Sequence, residues 1–171
     1  MFTVKYVTLI VQFKLIANRV REQVTVYKKG DTMRPNNYFI EYIRSAGLCP
    51  TRQRTALAKL LFQGDDRHVT AEELYNEALS EKMKVSLATV YNTLHQFTEA
   101  GMLREISVDT NRSYFDTNTR KHHHFYFEKD GKLGDIPDGM ISIGKLPEAP
   151  NGTKIKCIDV MVTITDSNND Y

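Results

Sequence analysis

The feature that most constrains this chain is a change of apolar period at Gly101. From Asn36 to Gly101 apolar residues recur at helical spacing in short segments, and beyond Gly101 they alternate as strands do. Tyr38-Phe39-Ile40 with Tyr42-Ile43 predicts a short amphipathic helix, stopped by Gly47 and Pro50. Thr51 can cap a second helix, with Ala56, Leu57, Leu60 and Leu61 on one face. Thr70-Ala71-Glu72-Glu73 has the form of a capping box, in which the Thr70 hydroxyl and Glu73 carboxylate satisfy each other's free amides. Leu74, Ala78 and Leu79 are the expected buried stripe of that helix. Ser86 is a good N-cap for a fourth helix with Val90, Leu94 and Phe97 at i, i+4 and i+7, and Gly101 suits its left-handed end. Leu103–Val108 and Ser113–Asp116 then read as strands around the turn Asp109-Thr110-Asn111.

Short helices followed by a β-hairpin form the layout of a winged helix-turn-helix. A second, smaller piece follows. Phe125-Tyr126-Phe127 is strand-like, Asp130-Gly131 a hairpin turn, and Lys132–Ile136 its return. Pro137, Pro147 and Pro150 with Asn151-Gly152 mark a long loop. Ile158, Val160, Val162 and Ile164 alternate with Cys157, Asp159, Met161 and Thr163, as in a half-buried strand with Cys157 as a small core residue. This piece is too small to bury a core well alone, so a homodimer is expected. The expected organisation is an N-terminal extension over 1–33, a DNA-binding domain over 34–117 and a dimerisation and sensing domain over 118–171. Residues 1–32 alternate loosely between apolar and basic types, and the functional chain is expected to begin near Met33.

Composition narrows the class. Of 171 residues, 41% are hydrophobic and 26% charged, which suits a packed core and not a disordered chain. The net charge of +2 is uneven: residues 1–33 carry +4, residues 34–105 balance, and the remainder carries −2. Net charge therefore does not argue for nucleic acid, and the placement of charges has to. No apolar run approaches the roughly 20 residues that span a bilayer, and Lys14 interrupts the apolar Val7–Val11 stretch, so a cytoplasmic location is expected. The two cysteines, Cys49 and Cys157, form no C-x-x-C pair, which leaves nitrogen and oxygen donors for any metal.

With Val90, Leu94 and Phe97 turned inward, Ala88, Thr89, Asn92 and His95 face outward, and Tyr91 lies between the faces. Small residues at a helix N-terminus let the backbone approach DNA, Asn can read adenine, and a Thr methyl can touch a thymine methyl. Arg52 and Arg54 offer phosphate clamps, and Arg112 at the hairpin tip suits a minor-groove or backbone contact. An ordinary solvated helix fits the same pattern.

In Lys121-His122-His123-His124, an extended chain would put His122 and His124 on one face and His123 on the other. Two imidazoles on one face can begin a first-row metal site, and three solvated histidines on a hinge fit equally. Cys49-Pro50 has the core of a haem regulatory motif, although helix-entry geometry explains a lone Cys-Pro pair.

Three motifs in order carry a family resemblance: Pro50-Thr51-Arg52-Gln53-Arg54, His68-Val69-Thr70-Ala71-Glu72-Glu73-Leu74-Tyr75, and Ser86-Leu87-Ala88-Thr89-Val90-Tyr91-Asn92-Thr93-Leu94 with Glu99-Ala100-Gly101. From about Ser45 to Thr165 the chain resembles the ferric uptake regulator superfamily. The resemblance implies an α+β protein: an N-terminal winged helix-turn-helix that binds an operator in double-stranded DNA, a hinge, and a small C-terminal α/β dimerisation domain. It implies a DNA contact for Tyr91. It also places His68, Asp116, His122 and His124 at a regulatory metal site bridging both domains, with Asp116 a shorter substitute for the usual Glu. Filling such a site would set the separation of the two reading helices.

Phe127 and Asp130 stand where relatives carry a zinc-binding C-x-x-C pair, and a second site keeps only His123 and Asp135, since Lys121 replaces a histidine. These departures, the His122-His123-His124 run into Phe125, and the Leu146-Pro147-Glu148-Ala149-Pro150 segment resemble the iron response regulator branch. That resemblance implies haem as cofactor, with His122, His123 and His124 in the responsive site and Cys49 as a candidate haem ligand. It implies action when iron is scarce and weaker DNA binding, or loss of the protein, with haem. The alternative is a divalent-metal-dependent repressor responding to ferrous iron, manganese or zinc; a peroxide sensor is a variant that usually carries the missing cysteines. An enzyme is not expected, because no acid/base carboxylate or paired nucleophile supports a metallohydrolase.

Overall fold

The computed structural model describes residues 36–108 and 112–166, which divide into two compact units between Thr119 and Arg120. The expected N-terminal extension and the Asp109-Thr110-Asn111 turn lie outside the described residues. The architecture is α+β.

In the first unit, helices α1 (Asn36–Ser45), α2 (Arg52–Phe62), α3 (Ala71–Ser80) and α4 (Leu87–Glu99) precede strands β2 (Arg104–Ser107) and β3 (Ser113–Asp116). A two-residue strand, β1 (His68–Val69), pairs with β3 and gives an antiparallel sheet of order β1-β3-β2. Local chemistry starts three of the helices. Thr51 accepts the Arg54 amide, Thr70 and Glu73 form the complete capping box, and Ser86 accepts the Thr89 amide. Gly101, at φ +72°, ends α4 in the left-handed region, where a Cβ would be strained. Lys82 takes the equivalent conformation after α3, at φ +57°, despite carrying a side chain.

The core of this unit joins Phe39 and Ile43 of α1, Leu57 and Leu61 of α2, Leu74 of α3, and Val90, Leu94 and Phe97 of α4 to Phe115 of β3. Phe62 links two layers, edge-on to Tyr42 at 5.1 Å and 6.1 Å from Phe97. Two expected faces shift. The buried stripe of α2 is Leu57, Ala58, Leu61 and Phe62, with Ala56 and Leu60 only half-buried, because the Phe62 ring turns inward between Tyr42 and Phe97. Leu79 is exposed: one residue beyond Ala78, it stands about 100° further round the helix.

The second unit contains β4 (His123–Phe127), β5 (Lys132–Ile136) and β6 (Met161–Ile164) in the order β5-β4-β6. β4 and β5 form an antiparallel hairpin, and β4 and β6 run parallel. The described residues of this unit contain no helix, which departs from the expected α/β composition. Pro137, Gly139, Gly144, Pro147, Pro150 and Gly152 punctuate the connection from β5 to β6, and proline and glycine both oppose helix formation. The expected strand through Cys157 is also shorter. Pairing begins where the His124 amide donates to the Val160 carbonyl, leaving Cys157 exposed in the loop with its thiol 3.4 Å from Asp159. No described helix is long and apolar enough to cross a membrane.

Candidate nucleic-acid interface and metal centre

The N-terminal half of α4 presents Ala88 and Asn92 to solvent, with Thr89 and Tyr91 half-buried. Burial of Val90, Leu94 and Phe97 at helical spacing fixes this face, and Ser86 and Thr89 hydroxyls hydrogen-bond at 2.9 Å beside the free helix end. The Tyr91 hydroxyl donates to Glu72 Oε1 of α3 at 2.7 Å, and its ring stacks against His95 at 6.3 Å. This contact raises the Tyr91 pKa above 10: the hydrogen bond to Glu72 is the main cause, followed by burial and the Glu72 charge.

The two expected arginine clamps differ. Arg52 is exposed at the start of α2. Arg54 is half-buried, and its guanidinium donates to the Cys49 carbonyl and to the Gln96 side chain, tying the start of α2 to α4. Arg112 is exposed at the base of the hairpin, where its carbonyl accepts from the Val108 amide at 3.2 Å. Cys49, beside α2, is exposed.

Strand register explains the histidine–carboxylate pairs. Residues directly opposite in antiparallel strands point to the same face. In the first unit His68 of β1 lies opposite Asp116 of β3, and His68 Nε2 stands 3.8 Å from Asp116 Oδ2. Arg104 lies opposite Asp116 on the other side, so this carboxylate, 0% exposed, has a basic residue in register on each flank. Its Oδ1 accepts the Asn118 amide at 2.7 Å. Arg67, anchored on the Glu77 carboxylate, donates its amide to Thr117 Oγ1 at 2.8 Å and so extends the β1–β3 pairing around these residues.

In the second unit His122 and His124 lie on one face with ring centroids 4.4 Å apart, both buried, and His124 is 2% exposed. His124 lies opposite Asp135 of β5. Asp135 Oδ1 is 3.1 Å from His122 Nε2 and 3.9 Å from His124 Nε2. The His122 Nδ1 lies 2.9 Å from the Arg120 carbonyl, a contact that orients the ring. His123 takes the opposite face, where its Nδ1 accepts the Val160 amide at 3.2 Å. Asp135, grouped with His123 in the sequence, therefore belongs with His122 and His124. The hairpin register was the missing signal: a strand pair around Asp130-Gly131 aligns 135 with 124.

Each unit thus holds imidazole beside a carboxylate, half-buried His68 in the first and buried His122 and His124 in the second, a donor set of nitrogen and oxygen that suits first-row divalent ions. The class defined is a two-unit α+β protein with histidine–carboxylate groups in both units. Residues 45–164 match the family model described as the Ferric uptake regulator family, and the chain belongs to that family. Among characterised proteins it is similar to the peroxide-responsive repressor PerR of Staphylococcus epidermidis, 40% identical over 98 residues, or 57% of this chain and 64% of the relative. The chain thus covers somewhat less than two-thirds of that relative's length. Among solved structures it is similar to the Vibrio cholerae ferric uptake regulator, with a TM-score of 0.60 and 24% identity over 74% of this chain and 98% of the other. The Pseudomonas aeruginosa ferric uptake regulator with manganese gives 0.57 and 22%, covering 74% of this chain and 96% of the other. At these identities the two structures share its fold.

Proposed function

We propose that this chain is a divalent-metal-dependent, DNA-binding transcription regulator that works as a cytoplasmic homodimer. The observation that carries the reading is the in-register pairing of histidines with carboxylates, half-buried His68 with buried Asp116 and buried His124 with Asp135. His68 and Asp116 are the proposed ligands in the first unit, and His122, His124 and Asp135 those in the second. A bound divalent ion would be held by these imidazole nitrogens and carboxylate oxygens, a donor set that suits first-row metals. The chain's own contribution is orientation: strand register aims the imidazoles, and the Asn118 amide and Arg120 carbonyl steady Asp116 and His122.

The first unit is the proposed winged-helix reader. α4 enters the major groove with Ala88, Thr89, Tyr91 and Asn92, while Arg52 and Arg112 meet the backbone. Arg54 serves instead to hold the reading helix, through Gln96. The second unit is the proposed dimerisation domain. Phe125 and Phe127 of β4 lie opposite Val162 and Ile164 of β6, forming an apolar sheet face on which Phe127 is 39% and Ile164 38% exposed. A second copy would cover it. The repressor and metal-containing regulators to which the chain is similar support this reading.

Haem is the second reading, in the manner of the iron response regulator branch. It rests on the His122-His123-His124 run, whose last two members take opposite faces of β4, and on exposed Cys49. Burial of His122 and His124 beside Asp135 favours a small ion over a macrocycle at those two rings. The names of the similar proteins refer to peroxide, iron uptake and manganese, so the haem branch draws no support from them. Titration of the purified chain with manganese, zinc and haemin tests both. Metal binding lost in His124→Ala supports the first reading, whereas a Soret band lost only in the triple-histidine variant, with no metal binding, would replace it with the second.

A further inference from the structure

Glu72 is an odd neighbour for a surface meant to meet DNA. It stands in the first turn of α3, a solvated carboxylate, and accepts the proton of Tyr91 at 2.7 Å. On its other side the Tyr91 ring is stacked on His95, with only 21° between the planes, so the phenol is held from both directions. A phenol has one proton to give. While Glu72 accepts it, the Tyr91 oxygen offers only lone pairs outward. Phosphate oxygens, guanine N7 and O6, and thymine O4 are acceptors and cannot satisfy those lone pairs. The amino groups of adenine N6 and cytosine N4 can. The carboxylate charge also opposes a phosphate at the same spot.

From this geometry we propose that Glu72 is a specificity-determining residue of the reading face. It fixes Tyr91 as a hydrogen-bond acceptor that reads the amino group of adenine or cytosine, and it keeps the DNA backbone away from that position. The inference rests on the DNA-binding reading above. The raised Tyr91 pKa is consistent with it, since the phenol stays protonated while its proton is shared with the carboxylate.

Selection of duplexes from a randomised pool by the full chain, in manganese chloride, tests the proposal with wild type, E72A, E72Q and Y91F. Wild type should enrich a motif with one position at which adenine or cytosine is preferred about tenfold over guanine or thymine. Y91F should lose that preference, and E72A should lose it as well although its tyrosine remains. E72Q, whose amide oxygen can still accept the phenol proton, should keep it. An E72A motif identical to that of wild type overturns the role of Glu72, and so does a shared loss of thermal stability in E72A and Y91F without a change of motif. If wild type itself enriches no motif, it is the DNA-binding reading that fails, a result distinct from either.

Discussion

The two units of this protein solve the problem of burial differently. The first closes a continuous apolar core among four helices and the strands β1 and β3, with a side-chain cap at the start of three of those helices. The second has three strands and a long, proline-punctuated connection. Its most buried side chains include two histidines, while Phe127 and Ile164 stay partly in water. A unit of the first kind has what it needs to fold alone. One of the second kind gains most from something bound: an ion at its buried polar group, or a second copy over its apolar face.

The largest effect that would break this contrast is on stability. Phe97→Ala, in the middle of the first core, should cost about 3–5 kcal/mol in denaturant unfolding. Phe127→Ala should cost the monomer less than about 1 kcal/mol, because its ring already meets solvent, and should instead raise the dimer dissociation constant in sedimentation. Equal losses from both would remove the distinction. Metal affinity sharpens it next. Asp116→Asn and His124→Ala should each weaken manganese or zinc binding about 100-fold by calorimetry, while His95→Ala, at an exposed position of α4, should leave it unchanged.

Smaller effects probe how the first unit is put together. Thr70→Ala removes one half of the capping box and should cost about 1 kcal/mol in thermal unfolding. Lys82→Gly should stabilise by a comparable amount, about 1 kcal/mol, since glycine accepts the left-handed conformation without strain. The smallest concerns Tyr91. Its raised pKa means that the fold favours the neutral phenol, so the contact with Glu72 is intact below the ordinary tyrosine value of 10 and is lost as pH climbs through the raised one. In an ultraviolet titration, the component removed by Y91F should therefore lie above pH 10, and E72A should move it down.

The same contrast governs what the sequence could reveal. Helix starts were legible because Thr51, Thr70 and Ser86 act on amides three residues away, a purely local signal. The shared face of His122 and His124 was legible for the same reason, from strand alternation. What escaped depends on partners distant in the chain. β1 is two residues long and exists through its pairing with β3. Asp135 joins His124 through hairpin register, Arg54 turns inward to meet Gln96, and Glu72 meets Tyr91 across two helices. The β5–β6 connection was readable as a loop from its prolines, but the point where β6 begins is set by β4.

The most direct measurement is DNA affinity as a function of metal. Fluorescence anisotropy on a duplex recovered from the pool, with manganese, with chelator and with haemin, should show tight binding only with manganese in wild type. His124→Ala and Asp116→Asn should bind weakly in all three. Binding that ignores manganese and chelator alike, or that responds to haemin alone, would contradict a regulator governed by a divalent ion at these histidine–carboxylate pairs.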